Sequence, residues 1–106
     1  MNPLPPPVAA LLAATEALDT AAFVAVFADD GVVDDWGRTF QGARAIRGWS
    51  DAEFIGKRVT LELTGAHREG PEAVITAIVG GEGFNGPSSF AFRVVGDRIS
   101  RMTIRG

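Results

Sequence analysis

Two hydrophobic periods divide the sequence. Through the first half, apolar residues recur every three to four positions; from Arg58 onward they alternate with polar ones. Near the start, Val8, Leu11, Leu12 and Leu18 share one side of a short helix opened by Pro5, Pro6 and Pro7. Proline suits that position because a first turn leaves its amide hydrogens unbonded anyway. Asp19 and Thr20 predict a stop and a fresh N-cap. Phe23, Val26 and Phe27 then stand at i, i+3 and i+4 of a second helix. Asp29-Asp30-Gly31 closes it, through a glycine in the left-handed conformation. Val32 to Trp36 reads as a short strand. Residues 42–56, GARAIRGWSDAEFIG, predict a third helix with Ile46 and Trp49 inward. Gly48 weakens it, and a capping box, Ser50-x-x-Glu53, restarts it.

The second half alternates. Val59, Leu61 and Leu63 lie between Thr60, Glu62 and Thr64, as on a half-buried strand. After the turn REGPE, residues 73–79 (AVITAIV) form a strand that is apolar on both faces. Residues 88–95 and 99–105 give two more, joined by the tight turn Gly96-Asp97-Arg98. Helices segregated from an antiparallel meander predict an α+β fold, a curved sheet wrapped around N-terminal helices. At 106 residues the chain reads as one domain, 1–106.

Composition narrows the chemistry. A net charge of -3 and arginines scattered along the chain argue against a nucleic-acid surface. The absence of cysteine excludes thiolate catalysis and disulfides, and a single histidine excludes a multi-histidine metal site within the chain. No apolar run is long enough for a membrane span. The opening MNPLPPPVAALLAA lacks the basic segment of a signal peptide, so a cytoplasmic protein is expected. Gly81-Glu82-Gly83-Phe84-Asn85-Gly86 satisfies G-x-G-x-x-G, but Pro87 and an alternating strand follow it. Without a helix N-terminus there is nothing to meet a pyrophosphate. It reads as a glycine-rich, mobile hairpin loop, and no cofactor is expected.

The most informative stretch is FADDGVVDDWG, residues 27–37. Asp29 and Asp30, at the expected helix-to-strand corner, read as solvated acids or local backbone acceptors. Asp34 and Asp35 are neighbours on a strand and point to opposite faces, so they cannot converge on one metal ion. Local pattern does not say which of the two faces inward.

The order of elements resembles the nuclear transport factor two-like superfamily, in particular its SnoaL-like and ketosteroid isomerase-like branches. The residues that carry the likeness are Phe27-Ala28-Asp29-Asp30, Val33-Asp34-Asp35, Phe40-x-Gly42, Ala45-Ile46 and the closing Gly96-Asp97-Arg98-Ile99 with Met102 and Ile104. The resemblance implies a cone-shaped α+β barrel around a pocket for a small apolar molecule, and a homodimer formed through the outer sheet face. It also selects Asp35, because in ketosteroid isomerases the second acid of this pair is the general base. Asp34 then faces away and carries no expected role.

Against apolar neighbours Asp35 would be poorly solvated and a stronger proton acceptor. A structural acceptor for backbone amides or for Trp49 is the alternative. The expected pocket walls are Val33, Trp49, Phe54 and Leu61, with Leu63, Phe90, Phe92 and Met102, and Trp36 reads as a wall more than as a hydrogen-bond donor to a ligand. His67 follows Val59, Leu61 and Leu63 in parity and is a second candidate, unless Gly65 bulges the strand. The isomerase's oxyanion donors have no counterpart, because the chain has no tyrosine; Leu11 and Phe90 stand near those positions. An Asp-Arg-Asp site of epoxide hydrolase type lacks an evident interior arginine and second acid. The readings that remain are a proton-transfer pocket using Asp35, such as a cyclase on an aromatic substrate, and a non-catalytic binding or interaction module.

Overall fold

The alternating half of the chain builds most of the sheet in the computed structural model, which describes residues 4–106. Helices α1 (Pro6–Glu16), α2 (Thr20–Ala25) and α3 (Ala43–Glu53) accompany strands β1 (Phe27–Asp35), β2 (Arg38–Gln41), β3 (Thr60–Glu69), β4 (Glu72–Gly80), β5 (Gly86–Val95) and β6 (Arg98–Arg105). A 3-10 turn, Ile55–Lys57, leads from α3 into β3. The strand order is β2-β1-β6-β5-β4-β3. Only the β1–β6 pair is parallel. The curved sheet does not close, and β2 and β3 form its free edges. This is the α+β arrangement that the two hydrophobic periods predict. Met1, Asn2 and Pro3, the start of the segment judged against a signal peptide, lie outside the described residues.

Helix α1 begins at its prolines and buries Val8, Leu11 and Ala14. Leu18 leaves the expected apolar face: it follows the helix with φ 57° and is partly exposed. Asp19 caps α2 as its residue type predicts, accepting from the Ala22 amide at 3.0 Å. The main departure comes next. Helix α2 ends at Ala25, and Phe27 already belongs to β1, so Asp29-Asp30-Gly31 is strand and not a helix terminus. Gly31 serves close backbone approach: a Cβ there would meet the Ala28 and Ile99 carbonyl oxygens at 3.0 and 3.1 Å. The register of β1 against β6 shifts across this stretch, as a bulge requires. Asp29 and Asp30 stay exposed.

Helix α3 is continuous, and the predicted restart at Ser50 is absent. Ser50 is buried within the helix, so its hydroxyl serves no cap. The inner sheet face and the helices together enclose one apolar core, with Phe23, Ile46, Ile75, Phe92, Ile99 and Met102 at its centre. A chain of aromatic contacts runs through it from Phe27 by Phe23, Trp49 and Phe54 to Phe90.

Candidate functional site

Strand pairing decides which acid faces inward. Val33 pairs with Phe40 on β2 and Met102 on β6, all on the core side. Asp35 shares that side, and Asp34 the outer one. Asp35 lines a cavity of about 320 Å³, with Trp49 and Phe54 from α3 and its end, Val79 from β4, and Ser88 and Phe90 from β5. Trp49 Nε1 donates to Asp35 Oδ2 at 3.0 Å. Arg38 Nη2 donates to the same oxygen at 2.6 Å. Among the described residues no protein donor reaches Oδ1. The expected wholly apolar surroundings of Asp35 are therefore replaced, on one side, by a guanidinium.

Arg38 is fixed by the turn that precedes it. Trp36 and Gly37, with φ 55° and 91°, form a two-residue connection of the primed type that suits strand twist. That turn places Arg38 directly across from Asp35. Its guanidinium also forks onto Glu53 at the end of α3, with Nη1 to Oε2 at 3.0 Å and Nη2 to Oε1 at 2.6 Å. Those hydrogen bonds hold the Glu53 carboxyl below its usual range, opposed by partial burial, and Lys57 adds a weaker attraction in the same direction. The two carboxylates push the Arg38 guanidinium upward in turn. A carboxylate–guanidinium–carboxylate row, Asp35–Arg38–Glu53, thus stands at the cavity. Both Arg38 and Glu53 are about half exposed at the rim, so the row does not supply the interior arginine and second interior acid of an Asp-Arg-Asp site.

Asp34 is the more tightly held acid, contrary to its expected idleness. Its side chain is 9% exposed and accepts from Arg101 Nη2 at 2.8 Å, from Arg105 Nη1 at 3.0 Å and from the Gly37 amide at 2.8 Å. The Arg105 hydrogen bond, with the Gly37 and Arg101 bonds behind it, outweighs burial and lowers the Asp34 carboxyl to about 2.

Residues 8–102 match the SnoaL-like domain. The chain belongs to the SnoaL-like family. A proposed polyketide cyclase of Sinorhizobium meliloti is 31% identical, with a TM-score of 0.87 over 96% of this chain and 95% of that one. A Catenulispora acidiphila protein with a ketosteroid isomerase-like fold, solved with trimethylamine, is 29% identical, with a TM-score of 0.81 over 98% and 87%. A Mycobacterium tuberculosis protein in complex with estradiol-17β-hemisuccinate shares the fold at 19% identity, with a TM-score of 0.79 over 94% and 90%. None of the curated proteins matches the chain.

Of the walls expected for a SnoaL-like pocket, the cavity gathers Trp49, Phe54 and Phe90 around Asp35. Val33, Phe92 and Met102 do not line it; all three are fully buried, packed in the core beneath. Leu61 and Leu63 extend past the cavity to a separate groove against Leu12 and Ala13 of α1, because β3 is the edge strand. His67 is turned away altogether. The β3–β4 register shifts between Leu63 and Gly65, so Ala66 takes the inner position opposite Ile75 and His67 the outer one opposite Val74. There it is half exposed, 3.1 Å from Glu69. Arg38, Glu53, Lys57, Ser88 and Phe84 also line the cavity and had no assigned role, while Trp36 lines it as an expected wall. The first had a signal in the sequence: a glycine second in a two-residue connection aligns Asp35 with Arg38. Ser88 is buried and lies on the inner face opposite Ala77, as its alternation with Phe90 and Phe92 foretells. Among the described residues no helix is long and apolar enough to cross a membrane.

Proposed function

We propose that this SnoaL-like protein binds a small, largely apolar molecule in the cavity and moves a proton on it with Asp35. The observation that carries the reading is the asymmetry of that carboxylate. Trp49 and Arg38 both occupy Oδ2, which fixes the group's orientation, while Oδ1 has no protein donor among the described residues and stands beside the cavity. A positioned carboxylate with one unengaged oxygen suits a general base. The chain has no tyrosine, which keeps steroid isomerisation through a tyrosine and a protonated acid outside the proposal. The likeness to the Sinorhizobium protein supports a cyclase-type substrate, and the trimethylamine in the Catenulispora protein supports a ligand-binding cavity. The protein acts in the cytoplasm, without cofactor, as a homodimer.

The test is deuterium exchange at the carbon next to the carbonyl of 2-tetralone, followed by NMR in heavy water. The wild-type protein should accelerate exchange, and Asp35→Asn should lower the rate roughly 100-fold or more while leaving the fold intact. Equal rates for the two proteins would remove the base. A second reading, a non-catalytic binding module, draws support from the Arg38 ion pair, which already engages Asp35. Under that reading 2-tetralone binds, neither protein accelerates exchange, and Asp35→Asn changes affinity alone.

A further inference from the structure

Two large aromatic side chains at the cavity have no evident structural use. Trp36 is 59% exposed and Phe84 57% exposed, and both line the cavity. Neither joins the aromatic cluster of the core. Register places them at the same end of the sheet: Trp36 follows β1, whose Asp35 pairs with Ile104 of β6, and Phe84 precedes β5, whose Ser89 pairs with Arg105. They therefore flank strands β5 and β6 at the mouth. Scattered exposed aromatics need no explanation; two on one rim, in held conformations, do.

Trp36 has a left-handed backbone, φ 55°, which a bulky side chain rarely adopts. Such strain persists only where surrounding structure enforces it. Here the enforcement is specific. The Gly37 amide donates to Asp34 Oδ1 at 2.8 Å, and the Trp36 amide donates to the Ile104 carbonyl at 3.2 Å. Gly106 makes room for the indole, since a Cβ there would fall 2.5 Å from the ring. Phe84 is likewise carried by a hydrogen-bonded loop. Asn85 Nδ2 donates to the Gly81 and Gly83 carbonyls at 3.0 and 3.1 Å, and the Glu82 amide to the Lys57 carbonyl at 2.8 Å. Inside the mouth, Trp49 and Phe54 stack with centroids 5.0 Å apart and planes 20° apart, which adds a flat inner wall.

We infer that Trp36 and Phe84 are ligand-contacting specificity residues, a preorganised aromatic clamp that selects planar ring systems over saturated ones of the same carbon skeleton. The inference rests on the proposed small-molecule pocket and adds the ligand's class. Flat faces gain stacking energy from a planar π-system beyond its burial, and fixed carriers lose little entropy on contact. At about 320 Å³ the cavity is at the low end for small-molecule sites, which sets the size near a bicyclic ring.

The experiment is calorimetric titration with 2-naphthol and with decahydro-2-naphthol, which share a skeleton and a hydroxyl and differ in planarity. Wild type should prefer 2-naphthol by roughly three- to tenfold. In Trp36→Leu and Phe84→Leu, which keep apolar bulk, that preference should fall toward one. Trp36→Gly, free of left-handed strain, should melt no lower than wild type and also lose the preference; it serves if a leucine variant fails to fold. Equal affinity of wild type for the two probes overturns the clamp and leaves the pocket standing. A preference unchanged in the variants does the same. If neither probe binds, the pocket reading falls and the clamp with it.

Discussion

Between Asp34 and Asp35 the strand turns each side chain to an opposite face, and each then meets arginines placed there by a different element. Asp34 meets Arg101 and Arg105 of β6 and the Gly37 amide; Asp35 meets Arg38 of β2 and the Trp49 indole. Asp34 has the stronger consequence for stability. An unfolded aspartate titrates at about 3.9, while folded Asp34 lies at about 2. The unfolded chain therefore binds the proton first, so the stabilisation is complete above the unfolded value and is lost as pH falls through about 2. Both guanidiniums are partly solvated, which trims the contribution to about 1–2 kcal/mol. Asp34→Asn should cost about 1–3 kcal/mol at neutral pH by stranding hydrogen-bonded cations. It should also flatten the acid limb of stability against pH, as urea midpoints taken at neutral and acid pH would measure. A variant as stable as wild type would mean that solvent already satisfies both arginines.

At the scale of elements, α3 carries two residues at odds with its own stability. Gly48 is exposed in the helix interior, and a Cβ added there meets nothing within 4 Å. Gly48→Ala should therefore stabilise the protein by about 0.5–1 kcal/mol, through backbone entropy alone. Ser50 is fully buried with no hydrogen-bond partner for its hydroxyl among the described residues. Ser50→Ala should stabilise by about 1 kcal/mol, since it removes an unsatisfied group and improves helix propensity. Thermal melts of the two variants, singly and combined, check both values.

The same helix marks what the sequence made legible. Ile46 and Trp49 are inward because a 3.6-residue period survives one glycine, and the capping box misleads because a motif of two polar residues does not reveal burial. In the sheet, an apolar run between turns located β4 and alternation located β5 and β6, while parity failed at β3 past Leu63, where the bulge before Gly65 turned His67 outward. For the site, Asp35, Trp49, Phe54 and Phe90 follow from parity and from the family likeness. Arg38 and Glu53 lie fifteen residues apart and meet only because the Trp36-Gly37 turn and the end of α3 arrive at one edge.

On the scale of the molecule, the described helices cover one face of the sheet and leave the other to its own side chains. The helices pack on the inner face, where Ile75, Phe90 and Met102 join Leu11, Phe23 and Ile46 in the core. The outer face carries Val74, only 7% exposed between its neighbours, beside Ala91 and Thr103, and then the exposed Ile78 beside Pro87. No described helix packs there, and Ile78 is 43% exposed. Around this apolar strip stand Arg93 with Glu72, and Arg101 and Arg105 with Asp34. An apolar centre with a charged rim is the composition of an interface, and a two-fold axis lets one such patch cover its own copy. This is the ground for the proposed homodimer. Ile78→Arg places a cation at the centre of the strip and, by symmetry, opposite or near its twin. It should convert the protein to a monomer while leaving thermal stability within about 1 kcal/mol of the unassembled wild type, since an exposed side chain contributes little to its own fold. Sedimentation equilibrium across a dilution series reads the result directly: twice the chain mass for wild type and the single mass for the variant. A wild-type protein at single mass throughout would overturn the dimer, and a variant that stays at double mass would move the interface off this face.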